Sequence, residues 1–142
     1  MIALLDVNVL IALFDAAHVH HKASQSWLTA NRSQGWATCP LTQNACIRVL
    51  SQPKYPGHVA IADISRRLAN AIAAADHLFW PDSISLCDSA RFVHDRMLSP
   101  RHLTDLYLLA LAVEHEGRLV TFDQGMSLSA IAGAEARHLQ VL

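Results

Sequence analysis

The chain has 142 residues, of which 52% are apolar and 16% charged, with a formal net charge of −1 at neutral pH. That composition fits one globular domain, residues 1–142, with a sizeable core, and excludes a disordered chain. It also excludes a global basic field, so any contact with nucleic acid must come from a local patch.

Ile2 to Leu5 reads as a buried strand, and Asn8 to Phe14 as a helix that Asp6 or Asn8 is able to cap. His20 to Asn31 reads as a second helix with Ala23, Trp27, Leu28 and His20 on one side. Gly35 to Cys39 is a short strand, and Pro40 starts a helix whose apolar positions are Leu41, Ala45, Cys46, Val49 and Leu50. Gln52 to Gly57, with two prolines, is a loop. His58 to Ala75 is a long helix with Val59, Ala62, Arg66, Ala69 and Ala73 near one face. His77 to Trp80 is a strand stopped by Pro81, and Asp88 to Met97 reads as helical until Ser99-Pro100 breaks it. Leu103 to Glu116 reads as an apolar helix with Gly117 as its C-cap. Arg118 to Phe122 is a strand, Asp123 to Gly133 a loop with a helical turn, and Arg137 to Leu142 the last strand. Strands alternating with helices over short links imply an α/β fold on a parallel sheet.

Asp6 separates two apolar runs, Met1–Leu5 and Val7–Phe14. A carboxylate between two buried runs is costly unless something pairs with it. A strand ending at Asp6, followed directly by a helix, puts the group at the carboxyl edge of a parallel sheet, where α/β proteins carry their sites. Asp105 opens an apolar helix and Asp123 ends a short apolar strand, so both stand at equivalent boundaries. An isolated Asp at a helix start is commonly a cap. Three such carboxylates brought together suit Mg²⁺ or Mn²⁺, hard cations that take oxygen ligands and serve phosphate hydrolysis.

Three segments carry a family resemblance: Leu4-Leu5-Asp6-Val7-Asn8-Val9-Leu10-Ile11, Thr104-Asp105-Leu106-Tyr107-Leu108-Leu109-Ala110-Leu111-Ala112, and Leu119-Val120-Thr121-Phe122-Asp123. In this order they resemble the signature segments of the PIN domain, and within it the VapC-type toxin ribonucleases. Cys39-Pro40-Leu41-Thr42 and Phe79-Trp80-Pro81-Asp82 extend the likeness along the chain. The resemblance implies a three-layer α/β/α sandwich with a mostly parallel sheet of about five strands. It implies a Mg²⁺- or Mn²⁺-dependent endoribonuclease, the toxin of a toxin–antitoxin pair. Its partners would be an RNA substrate, a cognate antitoxin and a second copy of the chain. By motif, Asp6, Asp105 and Asp123 take three acidic metal-binding positions, and Asn8 and Thr121 the supporting polar ones. The family's second acidic position falls on Gln43, whose carbonyl can ligate a hard cation or orient water but adds no charge. A PIN fold that binds RNA or a protein partner without cutting it is the alternative this departure raises.

The other polar residues carry less. Arg48, five residues after Gln43, is placed for an RNA phosphate or a partner carboxylate. His18, His20 and His21 lack the spacing of a zinc site and read as a solvated helix entry. Trp27, Trp36 and Trp80 read as core or interface rather than as platforms for bases. Lys occurs only at positions 22 and 54, which rejects a phospho-acceptor receiver domain with its late lysine. Three cysteines without C-x-x-C spacing read as buried, reduced thiols of a cytoplasmic protein. The sequence offers neither a membrane span nor a signal peptide.

Overall fold

A computed structural model describes residues 1–142. Its five strands are β1 (Ala3–Leu5), β2 (Trp36–Thr38), β3 (His77–Phe79), β4 (Arg118–Thr121) and β5 (Leu139–Val141). They form one all-parallel sheet in the order β3-β2-β1-β4-β5. The helices are α1 (Val7–Phe14), α2 (His21–Asn31), α3 (Pro40–Leu50), α4 (Ile61–Ile72) and α5 (Leu103–Glu114).

Successive strand residues point to opposite faces of the sheet. Ala3, Leu5, Trp36 and Val120 pack with Val9, Leu10, Cys46, Leu50 and Ile64 from α1, α3 and α4. Leu4, Ala37 and Leu119 pack on the other face with α5. The result is a three-layer α/β/α sandwich, which is why β1 and β4 are apolar on both faces rather than alternating. In α5, seven consecutive residues from Leu106 to Ala112 are buried. A helix hidden on all sides shows no amphipathic stripe.

Several elements differ from the sequence expectation. Asp88–Met97 is not a helix. Ala90 N donates to Asp88 Oδ1, and the segment then pairs with 130–132 through Val93 N to Ala130 O at 2.8 Å and Ala132 N to Arg91 O at 2.9 Å. The fully buried Phe92 sits opposite Ile131 in that antiparallel bridge. Backbone groups spent on a distant segment are withdrawn from a local helix, and only a 3-10 turn at His94–Arg96 remains. The helix expected over 58–75 is confined to Ile61–Ile72, and its inward residues are Ile64 and Leu68. Ala62, Arg66, Ala69 and Ala73 face water instead, because the branched side chains bury more apolar area than alanines do. In α2 the fully buried residue is Ser24, while His20 and Ala23 are exposed. Cys39 and Cys46 are buried thiols but Cys87 is exposed. Trp36 and Trp80 are core residues, and Trp27 is half-buried.

Gly117 is required, though not as a left-handed cap. The left-handed residue after α5 is Glu116, with φ 52°. Gly117 N donates to Ala112 O at 2.8 Å and Glu116 N to Val113 O at 3.1 Å, the paired bonds of a Schellman motif. A Cβ on Gly117 would lie 2.6 Å from Ile2 O and 2.7 Å from Trp80 Cη2. Only glycine fits under that close approach.

From β1 the chain builds outward to β2 and β3 on one side, and to β4 and β5 on the other. The reversal falls between β1 and β4. Parallel sheets open a crevice at the carboxyl ends of the strands flanking such a switch point. Asp6 directly follows β1, and Asp123 follows β4 by two residues.

Candidate metal centre

Asp6 is the anchor of the crevice. It caps α1, and its Oδ1 accepts from Val7 N at 2.6 Å. Its Oδ2 accepts from the Thr121 hydroxyl at 2.6 Å. Thr121 Oγ1 in turn accepts from Asn8 Nδ2 at 3.2 Å and from Asp123 N at 3.0 Å. Those two donors fill the lone pairs of the hydroxyl, so its single proton must point at Asp6. Asn8 Oδ1 completes the set by accepting from Phe122 N at 3.3 Å. Asn8 and Thr121 thus fix the orientation of Asp6 and the turn that presents Asp123.

Asp105 enters from the first turn of α5, where the helix dipole favours a carboxylate. Oxygen atoms of Asp6, Asp105 and Asp123 all lie within 4.8 Å of one another. Asp6 is only 3% exposed, Asp105 is half-buried and Asp123 is open to solvent. Burial, followed by the charges of Asp105 and Asp123, pushes the Asp6 carboxyl up to about 6, despite the lowering effect of Thr121 and Val7. Burial and the charge of Asp123 raise Asp105 as well, while His102 opposes that rise. No Lys or Arg pairs with any of the three. Their one basic neighbour is His102, with Nδ1 3.6 Å from Asp105 Oδ2.

Three crowded carboxylates without a cationic side chain leave a deficit of positive charge. Oxygen-only donors, one group buried and one open to water, suit a hard divalent cation that keeps part of its hydration. The residues therefore fit a divalent ion held by Asp6, Asp105 and Asp123.

Gln43 lies in the first turns of α3 and is hydrogen-bonded elsewhere. Its Nε2 donates to Thr38 Oγ1 at 2.9 Å, and Thr38 Oγ1 lies 2.8 Å from His77 Nε2. Burial holds the His77 imidazole below its ordinary range. Gln43, Thr38 and His77 are thus joined in one hydrogen-bonded chain.

A PIN domain profile matches residues 3–133. The chain belongs to the PIN domain family. Ribonuclease VapC44 of Mycobacterium tuberculosis (strain ATCC 25618 / H37Rv) is 48% identical over 142 residues, the whole of both chains. Ribonuclease VapC39 of the same strain is 44% identical over 138 residues, covering 94% of this chain and 96% of that one. Among solved structures, M. tuberculosis VapC20, a sarcin–ricin loop cleaving toxin, gives a TM-score of 0.62 at 14% identity over 94% of this chain and 96% of its own. A chain of VapBC2 from Rickettsia felis, solved with a DNA fragment from its promoter, gives 0.61 at 14% identity over 87% and 89%. At that identity the structural likeness speaks to the fold.

In this PIN domain some residues that contact the expected site residues were not singled out by the sequence. His102 is the clearest, and its position three residues before Asp105 at a helix start was the available signal. Thr38 and His77 share a sheet face only because β2 and β3 pair in register, a long-range fact that one sequence does not contain. His20 stacks on Phe122, next to Asp123, with ring centroids 4.3 Å apart. Arg48 is exposed on α3 and makes no ion pair.

Proposed function

We propose that this PIN domain, residues 1–142 acting as one unit, is a divalent-metal-dependent endoribonuclease of the VapC kind. It is the toxin of a toxin–antitoxin pair and works in the cytoplasm with Mg²⁺ or Mn²⁺. The observation that carries the reading is the set of Asp6, Asp105 and Asp123 within 4.8 Å at the switch point of a PIN fold. Its full-length likeness to proteins named ribonucleases supports the substrate class. A cognate antitoxin and a second copy of the chain are the partners expected of this kind of toxin.

When bound, the ion supplies water activation and electrostatic stabilisation of the phosphoryl oxygens. The residues of the chain supply placement. Thr121 and Val7 fix both oxygens of Asp6, which leaves the carboxylate little freedom to turn away. Asp123, open to water, borders the path by which a phosphodiester enters. His102 stands beside Asp105 as a proton donor or acceptor for groups arriving there. Arg48 is our candidate contact for an RNA phosphate or for an acidic antitoxin segment.

The test is cleavage of single-stranded and structured RNA by the purified chain with Mn²⁺ or Mg²⁺. Cleavage should disappear with chelator and return on adding back metal, and Asp105→Asn should lose it. Full cleavage in chelator would sink the metal-dependent reading. A second reading, RNA or partner binding without cutting, draws on the uncharged Gln43 and its bond to Thr38. RNA binding without cleavage in either metal would favour it.

A further inference from the structure

Beside the three carboxylates lies a cavity of about 550 Å³, within the range of roughly 300–1,000 Å³ typical of small-molecule sites. One wall comes from the segment before α5, with Asp95, Arg96, Leu98, Ser99 and His102. The other comes from the segment after Asp123, with Gly125, Met126, Ser127 and Ser129. The same two segments deliver Asp105 and Asp123, and His102 belongs to both places, lining the cavity while facing Asp105 at 3.6 Å.

Resting on the ribonuclease reading above, we propose that this cavity is a nucleoside subsite. It receives the unpaired base next to the phosphodiester held at the carboxylates. Leu98, Leu106 and Met126 offer apolar surface to the faces of a base. Leu98 is 89% exposed, so its side chain contributes almost nothing to the core and is free to cover a ligand. The Ser127 and Ser129 hydroxyls, 2.9 Å apart, offer donors and acceptors for a base edge or a 2′-hydroxyl. Arg96, held by its bond to Ser129 O at 3.3 Å, is the one guanidinium in the lining, beside one carboxylate, Asp95. The Arg96 guanidinium offers a contact to an RNA phosphate flanking the captured base. Sequence-specific RNA recognition favours unstacked bases of single strands and loops, so the subsite would select unpaired RNA and set the cut position relative to the captured base.

The experiment uses the Asp6→Asn chain with Mn²⁺ to keep RNA intact, and a short single-stranded RNA carrying one 4-thiouridine. Photo-crosslinks should map to residues 95–102 and 125–129. Leu98→Ala removes an exposed side chain, and Ser127→Trp fills the cavity. Each should weaken RNA binding about fivefold or more with an unchanged melting temperature. Crosslinks confined to other surfaces, or unchanged affinity in both folded variants, would overturn the proposal. So would protection of the cavity by an antitoxin but never by RNA. The two readings fail separately. Crosslinks in the cavity with no cleavage by the unsubstituted chain refute the nuclease. Cleavage whose KM is indifferent to Leu98→Ala and Ser127→Trp refutes the subsite.

Discussion

Asp6 is a buried carboxylate with two further carboxylates beside it. Its folded value of about 6 stands above the ordinary 3.8, so the native chain binds this proton more tightly than the unfolded chain. The metal-free protein should therefore lose stability as pH rises from about 4 to about 6, by roughly 3 kcal/mol at about 1.4 kcal/mol for each tenfold difference in proton affinity. Asp6→Asn should remove most of that dependence and raise metal-free stability at neutral pH, while weakening the response to divalent ions. Thermal melts at pH 4.5 and pH 7.5, with chelator, give the answer, and a pH-independent difference between the two proteins would refute the assignment. Gln43 is the complementary case. Gln43 donates an amide N–H to Thr38, whose single hydroxyl proton also lies within reach of His77. A carboxylate in Gln43→Glu would compete for that proton, so the metal-free variant should be less stable by about 1–3 kcal/mol. It would also add a fourth negative charge near the ion. Two unit charges about 4 Å apart interact by roughly 4 kcal/mol at an effective dielectric near 20, and desolvation trims this to about 1–3 kcal/mol. Mn²⁺ binding should then tighten about 5- to 150-fold. Equal affinities in a Mn²⁺ titration would place position 43 outside the metal's surroundings. At this scale the sequence was informative wherever a carboxylate interrupted an apolar run, and silent about Thr38 and His77, whose roles arise from strand pairing.

Among the elements, the end of α5 gives the sharpest test. Glu116 occupies a left-handed conformation that costs a non-glycine residue about 1–2 kcal/mol. Glu116 is exposed, so little packing is lost on removing its side chain. Glu116→Gly should stabilise the protein by roughly 1 kcal/mol once the greater freedom of glycine in the unfolded chain is discounted. Gly117→Ala should do the reverse, since its new methyl would strike Ile2 O and Trp80. Urea unfolding of both variants checks the signs, and a destabilised Glu116→Gly would disprove the strain argument. From sequence alone Gly117 closes this helix, because glycine usually fills the left-handed position. The structure needs glycine one residue later, for space. The same kind of error explains Asp88–Met97, whose local pattern permits a helix while Phe92 and its backbone neighbours pair with 130–132. In α4 the alanines marked a plausible face, but the sheet selects Ile64 and Leu68. Local signals located most elements, whereas the contacts that orient or abolish an element lie far away in the chain.

For the whole molecule, the parallel sheet was legible from the alternation of strands and helices, and its strand order came only with the structure. That order matters because it puts Asp6 and Asp123 at the ends of adjacent strands and lets α5 add Asp105 between them. The fold thus concentrates repulsion at one edge of its sheet, and that edge is where a cation acts on global stability. An ion that binds the folded chain and not the unfolded one stabilises by about 2.7 kcal/mol at a hundredfold excess over Kd. For a chain of this length that is a rise in Tm of roughly 8–12 °C. Mn²⁺ added to chelator-treated protein at pH 7.5 should produce such a rise. The rise should shrink as pH falls through about 6, because Asp6 then holds a proton that the ion must displace. Asp105→Asn should reduce the shift without altering the fold, and Leu98→Ala, outside the carboxylate cluster, should leave it intact. A Tm indifferent to Mn²⁺ at pH 7.5 would mean that the three carboxylates tolerate their repulsion without a cation, and the metal-dependent mechanism would lose its physical basis.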